Sequence, residues 1–341
     1  MAKTVGEAKI ARDRNVTLGL TLGKYAPLHR GHQLVIERAI AENDHTIVVI
    51  YDAPEVTPVP LETRAGWIRT LYPSVEVILA EDGPTVVGKT PEITALHDAY
   101  LRQLLTGRDI THFYSSEFYG HHVSQALGAI DCRVDANRKQ IPISGTAIRK
   151  DPYRFRGYLA NIVYRDLVSK IVFLGAPSTG KTTIARELAK RLETQWVPEF
   201  GREYWESHHV ARRLTLEQLA EIAVGHRERE DEIIADANRY LFVDTDATTT
   251  YQFSLEYHHE AHPTVAELAG TCRERYRLCF VCDTDIPYDD TWDRSGEVHR
   301  KVFQAKIESD LIRRNIQFIK LSGSLECRVS RVIENLKLLD S

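Results

Sequence analysis

The chain has no uninterrupted apolar run of the ~18 residues that a membrane-spanning helix requires, so no membrane partner is expected. Residues 1–15 mix charged and small side chains without an apolar centre, which excludes a secretory signal and predicts a loose tail. Strong net charge is also missing. At −4, the chain lacks the basic excess of a nucleic-acid-binding protein, and no nucleic-acid partner is expected. The five cysteines are an odd number in a chain of this size and do not form a disulfide framework. Cys279 and Cys282 make a Cys-x-x-Cys, but they lie in the apolar run Leu278–Cys282, and no second metal-binding pair accompanies them. Core thiols and a cytoplasmic protein follow as expectations. Internal repeats and low-complexity tracts are absent.

What is present is ample for two α/β domains, since 341 residues exceed what one hydrophobic core usually serves. Apolar runs at Leu18–Leu22, Thr46–Tyr51, Val75–Leu79 and Ile110–Tyr114 alternate with helical patterns such as Val35, Ile36, Ala39 and Ile40. A second series begins at Lys170–Leu174 and continues through Trp196–Val197, Tyr240–Val243, Leu278–Cys282 and Ile316–Leu321. Thr215 and Gln218 form a capping box that opens a long helix toward Asn238, and further helices are expected over about Val298–Arg314 and Ser324–Leu339. Alternating strands and helices predict two doubly wound parallel sheets with ligands at the strands' carboxyl ends. The expected division is a tail over 1–15, a nucleotidyltransferase domain over 16–165 and a P-loop domain over 168–341.

The first strand runs into Gly23-Lys24-Tyr25-Ala26-Pro27-Leu28-His29-Arg30-Gly31-His32. Two imidazoles at a strand-to-helix turn, backed by unpaired helix N–H groups, suit phosphate oxygens. Pro27 stiffens the turn and Gly31 permits close approach. Far downstream, Ile143-Ser144-Gly145-Thr146-Ala147-Ile148-Arg149 supplies two hydroxyls at a helix start and a guanidinium, although Ser144 can also serve simply as the helix cap. Together these segments resemble the adenylyltransferase superfamily, whose acceptor phosphate attacks the α-phosphorus of ATP and expels pyrophosphate. The resemblance implies ATP against Gly23, Tyr25, Pro27, His29, His32, Ser144, Thr146 and Arg149, with Lys24, His29, His32 and Arg149 as donors and Mg²⁺ on the phosphates. Arg64, Trp67 and Glu117 lie near strand ends. Trp67 reads equally as helix packing or as a base-stacking ring, and Glu117 as a solvated loop charge or a substrate contact.

The second strand series opens with Gly175-Ala176-Pro177-Ser178-Thr179-Gly180-Lys181-Thr182-Thr183, a complete P-loop between an apolar strand and an amphipathic helix. Its backbone would cradle ATP phosphates, Lys181 would reach them, and Thr182 would hold Mg²⁺. Asp244-Thr245-Asp246 ends a later strand, and one of the two aspartates, with Asp244 as the candidate, would orient the metal. A neutral hydroxyl acceptor needs a general base, for which Glu199 leads and Asp246 follows, with Glu199 alternatively a structural partner of Arg202. Arg294 and Arg300 lie where P-loop kinases carry an arginine-bearing lid, though either can be a plain surface charge.

In this order the two domains resemble the bifunctional NadR-type family, which joins a nicotinamide mononucleotide (NMN) adenylyltransferase to a ribosylnicotinamide kinase. Glu199-Phe200-Gly201-Arg202-Glu203-Tyr204, and Asp244-Thr245-Asp246 running on through Thr249-Thr250 to Ala261-His262-Pro263, carry that finer resemblance. It implies nicotinamide riboside, NMN and ATP as substrates and NAD as product. Arg64, Trp67, Glu117, Glu199, Arg202, Tyr204 and Asp244 become candidate contacts for the nicotinamide substrates. A homo-oligomer stays open. Some members begin with a helix-turn-helix domain. Fifteen residues ahead of the first strand are too few for one, so an enzyme without direct transcriptional function is expected. Two rivals share the motifs: a fused phosphopantetheine adenylyltransferase–dephospho-CoA kinase, and a nucleotide-sensing regulator with little turnover.

Overall fold

A computed structural model describes residues 16–86, 88, 90–116, 120–209, 213–287 and 296–339. The chain divides into two compact units, one ending at Val163 and the other beginning at Tyr164.

The first unit contains β1 (Leu18–Gly23), α1 (Arg30–Glu42), β2 (His45–Tyr51), α2 (Leu61–Leu71), β3 (Glu76–Ala80), α3 (Pro91–Leu104), β4 (His112–Ser115), α4 (Gly120–Leu127), β5 (Ile130–Arg133) and α5 (Gly145–Lys150). Its sheet is parallel throughout, in the order β3-β2-β1-β4-β5. Thr46 through Tyr51 are all buried, the continuous pattern of a central strand covered on both faces. Leu20, Val49 and Phe113 pack on one face against Leu101, Leu105 and Val123. Val35 and Ala39 of α1 pack against Tyr114 on the other. Strand order reverses between β1 and β4, and that switch point opens a crevice at their carboxyl ends.

The boundary between units falls inside α6 (Asn161–Leu167). The second unit then runs through β6 (Ser169–Leu174), α7 (Lys181–Arg191), β7 (Gln195–Val197), α8 (Phe200–His208), α9 (Leu216–Ile233), β8 (Tyr240–Asp244), α10 (Ala247–His258), α11 (Pro263–Gly270), α12 (Cys272–Arg275), β9 (Leu278–Cys282), α13 (Gly296–Arg313), β10 (Ile319–Leu321) and α14 (Leu325–Leu339). Its sheet is also parallel, in the order β10-β9-β6-β8-β7. Phe173, Phe242 and Phe280 form an aromatic layer across the three central strands. The capping box of α9 is present in both directions, Gln218 N–H to Thr215 Oγ1 at 3.2 Å and Thr215 N–H to Gln218 Oε1 at 2.9 Å. Cys279 and Cys282 are buried free thiols in β9. Among the described residues no helix is long and apolar enough to cross a membrane.

Candidate active sites

The first site forms where β1 ends. His29 caps α1: its Nδ1 accepts from Gly31 N–H at 3.1 Å, while His32 Nδ1 accepts from His29 N–H at 3.4 Å. A neutral imidazole that accepts at Nδ1 must carry its proton at Nε2. Both rings therefore offer Nε2–H as a donor, and they stack with centroids 3.7 Å apart. Burial first, then the charges of Arg138 and Arg149, lower the His29 pKa to about 4. Burial and the neighbouring His29 push His32 well below its ordinary value. A Cβ at position 31 would lie 3.0 Å from His29 Cε1, so Gly31 leaves room for the capping ring.

The lowered pKa has a measurable sign. Between pH 6.5 and about 4 the unfolded chain holds a proton that folded His29 refuses, so stability falls as pH drops through that window. His29→Asn, which keeps a good helix cap, should flatten this dependence in urea unfolding. An equal loss of midpoint in both proteins would contradict a depressed His29.

Opposite the imidazoles, Ser144 caps α5 through Ala147 N–H at 3.2 Å. Arg149 donates to Ala26 C=O at 2.5 Å and to Thr146 Oγ1 at 3.1 Å, tying α5 to the first motif. Arg138 joins this group, although its position in the sequence carries no motif. The Asp135 carboxylate accepts from Lys139, Gln140 and Ile141 N–H groups, which depresses its pKa and shapes the loop that presents Arg138. Two cavities open here. One, of about 450 Å³, is lined by His29, Arg138, Ser144, Thr146 and Arg149. The other, of about 320 Å³, has walls from Val35, Tyr51, His97, Leu101 and Val123. Lys24, Tyr25, His32 and Ser116 line both, so the cavities meet at the second imidazole.

Two expectations need correction. Arg64 is 0% exposed, and its guanidinium donates to the carbonyls of Lys24, Tyr51 and Val59 and to Asp52 Oδ1. Those bonds brace the ends of β1 and β2 and leave it no reach toward a substrate. Trp67, at 1% exposure, is a packing residue of α2. Lys24 lines both cavities, with Nζ on Glu55 at 2.5 Å. Glu117 lies outside the described residues.

The second site is built on β6. Gly175 has φ +137° and a Cβ there would come within 2.7 Å of Cys282 O, while Gly180 has φ +86°. Both conformations favour glycine, and at 175 a side chain would also run into backbone. Lys181 Nζ folds back onto the carbonyls of Gly175 and Ala176, both at 3.0 Å. The loop is held from behind. Ala176 N–H donates to Gln304 Oε1 at 2.8 Å, and Arg328 donates to Thr179 C=O at 2.8 Å.

Arg300, expected on a lid over the phosphates, belongs to this brace. It is buried and donates to the carbonyls of Ser178, Thr284 and Ile286. Arg294 lies outside the described residues.

Three acidic residues, Asp244, Asp246 and Glu199, stand at or just past the carboxyl ends of β8 and β7. Thr182 Oγ1 donates to Asp244 Oδ2 at 2.5 Å, and the other Asp244 oxygen is buried without a partner. Burial, then the Glu199 charge, raise the Asp244 pKa to about 6. A hydroxyl beside a carboxylate with an orphaned oxygen suits a hard cation that keeps its other ligands as water and phosphate. Among the described residues no group of three or more His, Cys, Asp or Glu is placed to hold a metal ion. Asp246 caps α10, its Oδ1 taken by the Thr248 N–H and hydroxyl. Glu199 stands at the head of α8 with Arg202 3.6 Å away.

Glu199, Asp246, Thr249, Trp205, Phe253 and Tyr257 surround a narrow cavity. Tyr204 is not on its wall. The Tyr204 hydroxyl bonds Glu221 of α9, and the next residue, Trp205, faces the cavity instead. His226, which no motif singled out, also lines it.

The chain is NadR-like over nearly its full length. It is 26% identical to the trifunctional NAD biosynthesis/regulator protein NadR of Escherichia coli (strain K12), across 93% of this chain and 82% of that protein. The Salmonella typhimurium protein of the same description is also 26% identical, across 95% and 83%. A phosphopantetheine adenylyltransferase of Streptococcus equi subsp. zooepidemicus is 27% identical, across 45% of this chain and 92% of its own. A family model described as an AAA domain matches residues 170–328. Crystal structures of a NadR protein, one with NAD and AMP-PNP and one with NR, each superpose with a TM-score of 0.56 at 23% identity. Each covers 91% of this chain, and they share its fold.

Proposed function

We propose that the two units catalyse consecutive steps of NAD formation. The second would transfer the γ-phosphoryl group of ATP to nicotinamide riboside. The first would adenylylate the resulting NMN to give NAD and pyrophosphate. The observation that supports this best is the pair of cavities meeting at His32 and Lys24. The polar one, with Arg138 and Arg149, suits the triphosphate. The one walled by Tyr51, His97 and Leu101 suits the aromatic end of a mononucleotide. An acceptor phosphate entering from one side then meets the α-phosphorus of ATP from the other.

Adenylyl transfer needs no general base, because the acceptor phosphate is already anionic. The Nε2–H donors of His29 and His32, with Lys24 and Arg149, would neutralise charge developing on the non-bridging and leaving oxygens. The kinase unit faces the opposite problem, a neutral 5′-hydroxyl. Glu199 borders the acceptor cavity and keeps some exposure, whereas Asp246 is buried, with one oxygen capping α10 and the other without a hydrogen-bond partner. Glu199 is therefore the general base of this reading. Trp205, Phe253 and Tyr257 would face the cationic pyridinium. Mg²⁺, held by Thr182 and Asp244, would supply charge neutralisation on the phosphates.

A coupled assay with nicotinamide riboside and ATP tests the proposal. NMN should form first and NAD with pyrophosphate second. Formation of neither would sink it. Turnover with a pantetheine phosphate in place of NMN would favour the coenzyme A rival, to which the matched phosphopantetheine adenylyltransferase lends some weight. Tight NAD and ATP binding without turnover would favour a sensing regulator.

A further inference from the structure

The parallel ladder between β7 and β8 stops just short of the residues whose spacing matters most. Its register pairs are Gln195–Leu241, Trp196–Phe242 and Val197–Val243. Pro198 follows, with no N–H to carry the ladder further. Beyond this point one strand end bears Glu199 and Phe200, and the other bears Asp244, Thr245 and Asp246. The ladder no longer sets their separation.

His226, projecting from α9, lies across the gap. Its Nδ1 accepts from Phe200 N–H at 3.4 Å, and its Nε2 meets Thr245 C=O at 3.1 Å. One ring thus reproduces both halves of a missing backbone rung. Only the neutral tautomer protonated at Nε2 can make both bonds. The acidic groups facing the ring are Glu230 on its own helix, 3.8 Å from Nε2, and Glu199 and Asp246 on the other elements. Glu230 already accepts from Arg275 Nε at 2.8 Å and from the Tyr276 hydroxyl at 2.7 Å, so it does not call for a proton on His226.

Thr245 adds a second observation. It has φ +72°, a conformation that β-branched residues rarely adopt without support from their surroundings. Its N–H is held by Phe173 C=O at 3.0 Å and its carbonyl by His226. The strained residue is the pivot that aims Asp244 at Thr182 and Asp246 at the acceptor cavity.

We infer that His226 is a positioning residue for phosphoryl transfer, a side-chain rung that fixes Glu199 relative to the Asp244–Asp246 turn. The inference rests on the kinase reading of this unit. It assigns His226 no proton transfer and no substrate contact.

The test uses the full chain as wild type, His226→Leu, His226→Gln and His226→Asn. Leu removes both bonds, Gln can keep the donor to Thr245, and Asn can keep the acceptor for Phe200. In His226→Leu, kcat for nicotinamide riboside phosphorylation should fall ~10²-fold, the scale of an ångström's misplacement, with KM for ATP unchanged. Gln and Asn should each recover part of that loss. Adenylyl transfer by the same preparations should not move. In the wild type, ¹⁵N NMR should find His226 neutral and protonated at Nε2, a readout that does not depend on any variant folding. The inference is overturned by a His226→Leu protein that keeps its kcat, by variants that lose both activities together, or by an Nδ1-protonated ring. A wild-type chain that phosphorylates no nucleoside would sink the kinase reading itself and take the inference with it.

Discussion

Replacing His32 with alanine is expected to lower adenylyl transfer by ~10²–10³-fold, the usual cost of deleting one preorganised donor to a developing oxyanion. His32 stands where the two cavities of the first unit meet, with its proton on Nε2 because Nδ1 accepts from His29 N–H. No other side chain lining both cavities is an imidazole donor: Lys24 is drawn toward Glu55, and Tyr25 meets His32 edge-on. The loss should fall on kcat, since Arg138 and Arg149 remain to bind the triphosphate. Phosphorylation of nicotinamide riboside by the same protein should be unchanged. Pyrophosphate release with NMN and ATP, read beside riboside phosphorylation, decides the matter. Parallel loss of both activities would refute two independent sites.

The complementary change, Lys181→Ala, should abolish phosphoryl transfer to a similar extent, ~10²–10³-fold, and spare adenylyl transfer. The Lys181 ammonium now rests on the carbonyls of Gly175 and Ala176 and is only partly buried, so its removal should not unfold the unit. Gln304, Arg300 and Arg328 would still hold the loop in shape. What is lost is the loop ammonium that the kinase reading places on the γ-phosphoryl group. Melting temperature should stay close to wild type while kcat collapses. A drop in melting temperature matching the drop in activity would mean that the lysine is structural.

The parts of this protein that were legible in the sequence are those where chemistry demands a fixed spacing. The His-x-Gly-His turn, the P-loop and the capping box of α9 all stand where their residues predict. β5 was not legible, because Ile130–Arg133 is a four-residue edge strand with alternating polar positions and no apolar run. Arg64 and Arg300 show a different limit. An arginine beside a motif can face the ligand or brace the backbone that does, and only burial and partners distinguish the two. Tyr204 and Trp205 differ by one helical step of about 100°, enough to turn one ring away and the other inward. Arg138 was invisible because the Asp135 loop that presents it is held by carboxylate–backbone bonds rather than by a motif. His226 was hidden because a lone histidine on an amphipathic helix reads as core.

The uncharged state of the paired imidazoles bears on what happens after the bond is made. In the proposed reaction the departing pyrophosphate takes with it the charge of two phosphates and gains that of the released bridging oxygen, so each fixed cation in the pocket tends to retain it. His29 is held neutral down to about pH 4, and His32 is held neutral by the same burial. Their grip is therefore directional rather than ionic. It weakens as soon as the departing group rotates out of line. In the proposed reaction the pair adds no fixed charge to that of Lys24, Arg138 and Arg149, so it would hold the transferring group in line without adding to the retention of pyrophosphate.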